Sequence, residues 1–452
     1  MKGILWLIPL LFLTVSSTHL GVSTSSFQIE GARSDRGDSI WDGFHKIEDG
    51  SNADVACDHY HRWEQDLDLI EWVGAKVYRF SFSWPRIFPN GDRSVVHQDG
   101  VDFYHRVLDG LLARNITPLV TLSHWDIPQT LQDRYGGWED DRILDDFVDY
   151  AQFCFKEYGD KVSHWLTLNE PLTVVQLGYG NGYHAPGKSE PSRLVYEVAH
   201  RMIRAHARVY HSVLDHNTTK ISIALNSDFI QPMNPQDPED VAAAQRGLLW
   251  RMGWFADPFF FNRYPDEMRA RCGDRLPLFA EDVNGTMDFF ALNHYTTLEA
   301  TSQYNQDYTL FQDPQVRYRF PPGSPGSASA WLHDYPSGIY GMIRWIHDRY
   351  PVQDMELVVT ESGVSTYPGQ LEDQARIDYL SGYIPQALRA ATDLRLNLSA
   401  YCIWSILDNF EWAAGYQERY GLFDVDFQSL ERTPKKSAYW LRDHLVSLGL
   451  TR

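Results

Sequence analysis

Residues His164–Pro171 read H-W-L-T-L-N-E-P, and this stretch decides the fold. Trp165, Leu166 and Leu168 make a short apolar run suited to a buried strand. Pro171, which cannot donate to a sheet, ends it. Asn169 and Glu170 are thereby set at the C-terminal tip of a strand. Residues 356–363, E-L-V-V-T-E-S-G, have the same form, and a Leu-Val-Val run delivers Glu361 to its tip.

Outward from this stretch, strand-like runs alternate with amphipathic ones. Strands are predicted over 21–28, 75–84, 117–125, 164–171, 221–226, 287–295, 356–363 and 398–406. Among the helices between them, one is capped by Asp58, presents Trp63, Leu67, Ile70 and Val73 on one face, and ends at Gly74. The next carries Val101, Tyr104, Leu108 and Leu111 along one side. Residues 142–158 place Phe147, Ala151, Cys154 and Tyr158 in register. Further helices are expected over 195–214, 239–250, 339–348 and 437–448. Residues 301–330, rich in Pro, Gly, Ser and Tyr, predict a long loop over the site. Eight strands alternating with helices predict a single-domain (β/α)8 barrel over residues 18–452. Nearly every strand ends in polar or aromatic groups: Gln28, Arg79, His124, Asn169-Glu170, Asn226, Tyr295, Glu361 and Trp404. In such barrels these ends surround one mouth, where the active site lies. Two carboxylates on rigid strand ends are what glycoside hydrolysis by double displacement requires.

The chain has 452 residues and a formal net charge of -20, which argues against nucleic acid or an anionic membrane as partner. Fifteen tryptophans suit either a large core or a cleft that stacks on pyranose rings. Lys2, the apolar run from Ile4 to Val15 and the small polar Ser16, Ser17 and Thr18 have the form of a secretory leader cleaved after Ser17. That run is too short to span a bilayer, and no later stretch is a membrane anchor. A secreted or lumenal protein is expected. Sequons begin at Asn115, Asn217, Asn284 and Asn397, with Asn217 and Asn284 in the more polar settings. The four cysteines have no metal-binding or redox spacing. Cys154 and Cys402 read as buried thiols, and a Cys57–Cys272 disulfide is left open.

The motifs F-Q-I-E-G-A, S-I-W-D, Y-R-F-S-F-S-W-P-R, H-W-D-I-P-Q, T-L-N-E-P, N-H-Y-T-T, V-T-E-S-G and W-S-I-L-D-N-F-E-W-x-x-G-Y follow one another in order. With them the chain closely resembles glycoside hydrolase family 1, the β-glucosidase family with its lactase-like and klotho-like relatives, over about residues 21–448. The resemblance implies a retaining β-glycosidase in which Glu170 is the acid/base and Glu361 the nucleophile. It implies that Arg79 and Tyr295 hold Glu361, that Asn169 holds the sugar 2-hydroxyl, and that Asn293 belongs to the same catalytic set. Gln28, His124, Glu411 and Trp412 match residues that hold the sugar's outer hydroxyls, Trp404 matches the platform under its ring, and Trp125 is counted with them as substrate-binding. Trp331 resembles a residue on the leaving-group side. A Glu at 411 points to a neutral rather than a phosphorylated sugar. The implied substrate is a small β-glycoside or short oligosaccharide, with no cofactor and no metal. Nothing in the sequence sets the oligomeric state.

The chain departs from the family pattern in three places. Little chain precedes G-V-S-T-S-S-F-Q, so either the first strand is short or the start of the chain is altered, which would weaken the secretory reading. T-E-S-G stands for the commoner T-E-N-G. Tyr420 stands where Phe is usual, near the expected position of the 6-hydroxyl, which bears on glucoside, galactoside and fucoside preference. A klotho-like binding protein that has lost a catalytic glutamate is the reading from another class, and retention of both Glu170 and Glu361 disfavours it. A thioglucosidase, with Gln as acid/base, is disfavoured by Glu170. The His59-x-His61 pair reads as capping and packing.

Overall fold

A computed structural model describes residues 17–213, 215–302 and 313–451. The leader expected over 1–17 thus lies outside the described residues except for Ser17. Eight strands close one parallel barrel: β1 (His19–Ser23), β2 (Val77–Ser81), β3 (Thr117–Ser123), β4 (His164–Asn169), β5 (Lys220–Asn226), β6 (Phe289–Asn293), β7 (Glu356–Ser362) and β8 (Asn397–Trp404). Each neighbours the next in sequence, and β8 pairs back onto β1.

Helices cover the outside because each carries one apolar stripe. Helix Arg142–Tyr158 buries Ile143, Leu144, Phe147, Tyr150, Ala151, Cys154 and Tyr158, the helical spacing read from the sequence. Helix His59–Val73 stops at Gly74, whose φ of 86° only glycine adopts without cost and whose N–H closes onto Ile70 and Glu71. Inside the barrel a second, small core forms from Leu119, Leu166, Ala224, Phe289, Ala291, Val358, Ala400 and Cys402. Gly21 on β1 leaves room for the Cys402 thiol, which a Cβ there would overlap.

Several expectations need correction. The first strand ends at Ser23 rather than Gln28. Ser25 Oγ donates to Gln28 Oε1 at 2.6 Å and Ser26 N–H donates to Ser81 Oγ at 2.7 Å, and residues Ser26–Ile29 coil into a helical turn. Short as it is, β1 pairs with both β2 and β8 and closes the ring. Asp58 does not cap through its side chain; it is left-handed, and its carboxylate bonds the His61 ring instead. Helix Gln374–Leu394 was not foreseen, because Gly382 and Pro385 interrupt its pattern. Residues 301–330 are not all loop: strands Phe229–Pro232, Thr297–Thr301 and Arg317–Arg319 form a small sheet beside the barrel. All four cysteines are free and buried, so Cys57 and Cys272 form no disulfide. Among the described residues, no helix is long and apolar enough to cross a membrane.

Candidate active site

Strand register brings the polar tips level. Asn293 stands opposite both Asn226 and Glu361, Asn169 opposite Ala224, and Ser23 opposite Trp404. The chain must then turn sharply away from the barrel. Glu170 follows β4 at φ 46°, and Trp125 and Trp412 have φ of 75° and 55°. Three site residues thus occupy a left-handed region that non-glycine residues rarely adopt, the kind of strain that surrounding packing sustains at functional sites. Gly363, in the T-E-S-G motif, has no room for a side chain because the Trp404 carbonyl lies against it.

The two glutamates meet opposite surroundings. Glu361 accepts a hydrogen bond from Arg79 Nη1, an ion pair buried on both sides, and Tyr295 donates to its other oxygen at 2.7 Å. The Tyr295 carbonyl receives the hydroxyls of Tyr379 and Tyr383, each at 3.0 Å, so the unforeseen helix anchors this donor. Glu170 is buried without a cationic partner. Desolvation, with the charge of Glu361 adding to it, pushes its carboxyl up to about 8, against the pull of hydrogen bonds from Asn293 and Thr173. Glu170 is thereby held as an acid at neutral pH, beside a second carboxyl that Arg79 and Tyr295 orient, the arrangement that acid-assisted displacement needs.

Asn169 knits the two together. Its Oδ1 accepts from Arg79 Nη2 at 2.6 Å and Asn293 Nδ2 at 3.1 Å, while its Nδ2 donates to His124. Asn293 Nδ2 also donates to Glu170 Oε1 at 2.8 Å, and Thr360 Oγ1 donates to Asn293 Oδ1 at 2.6 Å. Trp125 Nε1 donates to the Asn169 carbonyl at 2.9 Å.

These residues open onto a cleft of about 430 Å³, a size suited to a small ligand. His124, Trp125, Asn169, Glu170, Asn293, Tyr295, Trp331, Glu361, Trp404, Glu411, Trp412 and Tyr420 all line it. The His124 ring lies nearly parallel to those of Trp404 and Trp412, at 5.7 and 6.0 Å. Glu411 is raised well above the usual carboxyl range by burial and by Glu418, and its Oε1 is buried with no protein partner. Trp331, about half exposed, stands edge-on to Tyr295 at the rim. The Tyr420 hydroxyl lies 2.7 Å from Ser329 Oγ, which donates to Glu418 at 2.5 Å.

Two predicted residues sit behind the cleft rather than on it. Arg79 is fully buried and acts through Glu361, Asn169 and Thr121. Gln28, expected at the sugar itself, is also fully buried; its Nε2 donates to Asn409 Oδ1 and the Phe410 carbonyl at 2.8 and 2.9 Å, and reaches Glu411 Oε2 at 3.3 Å. These bonds tie it to the turn that carries Glu411. Thr173, Asp228, Arg251, Phe320 and Glu418 line the cleft and were not anticipated. Phe320 lies in the stretch 301–330 expected over the site, and Thr173 stands three residues after Glu170 on a turn. Asp228 and Arg251 pair at 2.7 Å from segments with no motif between them.

Similarity to known proteins runs along the whole barrel. The curated β-glucosidase 25 of Oryza sativa subsp. japonica is 39% identical over 94% of this chain and 93% of its own length. The human lactase/phlorizin hydrolase is 38% identical over 95% of this chain and 24% of its own. A solved rice β-glucosidase superposes with a TM-score of 0.91 at 38% identity, covering 96% of this chain and 98% of the other. The model of glycosyl hydrolase family 1 matches residues 16–448, which takes in every element of the site. With its paired carboxylates set at the mouth of a closed barrel, the chain belongs to glycosyl hydrolase family 1.

Proposed function

We propose that this chain is a retaining, exo-acting β-glucosidase for non-phosphorylated glycosides. The observation that carries the reading is the contrast between Glu361, clasped by Arg79 and Tyr295, and Glu170, buried and held protonated. Glu170 gives its proton to the glycosidic oxygen as the bond to the anomeric carbon breaks, and Glu361 forms the glycosyl-enzyme. Water then loses a proton to Glu170 as its oxygen displaces Glu361, with configuration retained. Asn169 takes the 2-hydroxyl, and His124, Glu411 and Trp412 take the outer hydroxyls above the Trp404 platform. Arg79 and Asn293 position the two carboxylates. Carboxyl groups at Glu411 and Glu418 offer a phosphate no counter-charge on the side of the outer hydroxyls, which supports a neutral glycone. The test is a panel of p-nitrophenyl β-glycosides with purified protein. Release is expected fastest from the glucoside, with galactoside and fucoside trailing; silence from folded protein would favour a sugar- or protein-binding role.

The chain is proposed to enter the secretory route through residues 1–17 and to carry N-linked glycans. All four sequon asparagines are exposed, and all four precede or open strands β3, β5, β6 and β8, at the barrel end opposite the cleft. Glycans there would leave the mouth clear. Expression in secreting eukaryotic cells should give a product that loses mass on treatment with an N-glycosidase. Retention in the cytosol without that loss would refute this.

A further inference from the structure

Glu170 has two duties with opposite proton demands. It must be protonated when the leaving group departs and ionised when water attacks. The groups around it lean to one side. Its Oε1 receives Asn293 Nδ2 at 2.8 Å, and its Oε2 receives Thr173 Oγ1 at 2.8 Å. Thr173 Oγ1 in turn receives Asn226 Nδ2 at 2.9 Å, which leaves the hydroxyl hydrogen for Glu170. The chain of bonds runs from the tip of β5 to the carboxylate at the tip of β4, across the turn Pro171–Thr173. Asn226 Oδ1 is buried with no partner, so the Nδ2 contact to Thr173 is the side-chain bond that holds this amide.

We propose that Thr173 and Asn226 are a positioning pair for the acid/base: they hold the Oε2 edge of Glu170 and stabilise its ionised form during attack of water on the glycosyl-enzyme. The inference rests on the retaining mechanism above and assigns it two residues that do not themselves react. In the free enzyme, burial and the charge of Glu361 favour the protonated acid. Once Glu361 is esterified to the sugar, that charge is gone. The two donors on Glu170 are neutral and remain in place, and both favour the carboxylate that must receive a proton from water. Thr173 thus acts in the half-reaction where Glu170 is a base, while costing little in the half-reaction where it is an acid.

The test compares Thr173→Val, Thr173→Ser and Asn226→Ala with the parent enzyme, using 2,4-dinitrophenyl β-glucoside. This leaving group needs little acid assistance, so slowed attack by water shows directly. For Thr173→Val, kcat and KM should fall together by about tenfold, kcat/KM should change little, and a burst of dinitrophenol should precede the steady rate. On p-nitrophenyl glucoside the alkaline limb of kcat/KM should move up by about 1 pH unit, since a donor that favours the ion has been lost. Thr173→Ser should restore both readouts, and Asn226→Ala should move them the same way by less. A Thr173→Val enzyme with no burst and an unmoved alkaline limb would overturn the proposal. So would an equal loss of kcat/KM in the Ser and Val variants, which would mark a packing role. Silence of the parent enzyme would instead bring down the mechanism on which the pair depends.

Discussion

Asn169 Nδ2 donates to His124 Nε2 at 3.0 Å, and this bond decides which proton His124 offers to the cleft. Asn169 Oδ1 is already taken by two donors, Arg79 and Asn293, so the amide faces the ring as a donor. Nε2 is therefore the acceptor, and Nδ1 carries the hydrogen. Nδ1 is buried with no protein partner, in a residue that lines the cleft. Burial, with Arg79 adding to it, holds the imidazole well below its usual range, so it stays neutral.

Replacing this donor should weaken turnover without changing its pH dependence. His124→Phe is expected to lower kcat/KM for the glucoside by about ten- to a hundredfold, the cost of leaving a sugar hydroxyl unpaired in a buried site. The loss should be the same at pH 5.5 and pH 7.5. A loss confined to one side of pH 6.5 would mean that His124 titrates in the working range.

The two glutamates should separate by leaving group. Glu361→Ala removes the attacking oxygen and should abolish turnover of every substrate. Glu170→Ala should still allow slow attack on dinitrophenyl glucoside while losing the p-nitrophenyl and alkyl glucosides more severely. Stopped-flow release of dinitrophenol by both variants distinguishes the roles, and wild-type rates on an alkyl glucoside in either would refute its assignment.

Activity should fall on the alkaline side through the ionisation of Glu170. Its carboxyl is pushed up to about 8, so kcat/KM should decline above that pH. The same shift links to stability. A carboxyl raised from 4.5 to about 8 holds its proton in the folded state where the unfolded chain releases it. This contribution is full below pH 4.5 and is lost as pH rises to about 8. Glu170→Gln, which never ionises, should therefore match the parent's Tm near pH 4.5 and exceed it at pH 8.5 by about 5 °C. Calorimetry at the two pH values reads the difference, and an equal Tm at pH 8.5 would mean that Glu170 carries no such strain.

Gly21 and Cys402 should behave as a coupled pair. A Cβ on Gly21 overlaps the Cys402 thiol inside the barrel. Gly21→Ala should cost about 1–3 kcal/mol through overpacking, and Cys402→Ala in the same chain should return a large part of that. Urea unfolding of the two single variants and the double variant measures the coupling; purely additive losses would place the clash elsewhere.

The barrel was legible because its strands end at the same kind of residue that its chemistry uses. A Leu-Val-Val run that delivers Glu361, and a Trp-Leu-Thr-Leu run that delivers Asn169 and Glu170, set the strand and the functional tip in one motif. Helix Arg142–Tyr158 matched its bounds because Phe147, Ala151, Cys154 and Tyr158 keep an unbroken stripe. Helix Gln374–Leu394 was missed because packing against the barrel overrides the local disfavour of Gly382 and Pro385. The amide of Gln28 donates to Asn409 and Phe410, more than 380 residues later in the chain, contacts that no local pattern could show.

Local order in the sequence determined the identity of the reacting groups and their place at strand tips, since both follow from side-chain period and from the residues that stop a strand. Tertiary structure alone decided their states. The raised carboxyl of Glu170, the neutral ring of His124 and the ion pair of Glu361 with Arg79 arise from desolvation and from neighbours up to 282 residues distant in the chain. Those energies depend on distances through a low-dielectric interior, and they exist only once the barrel has closed.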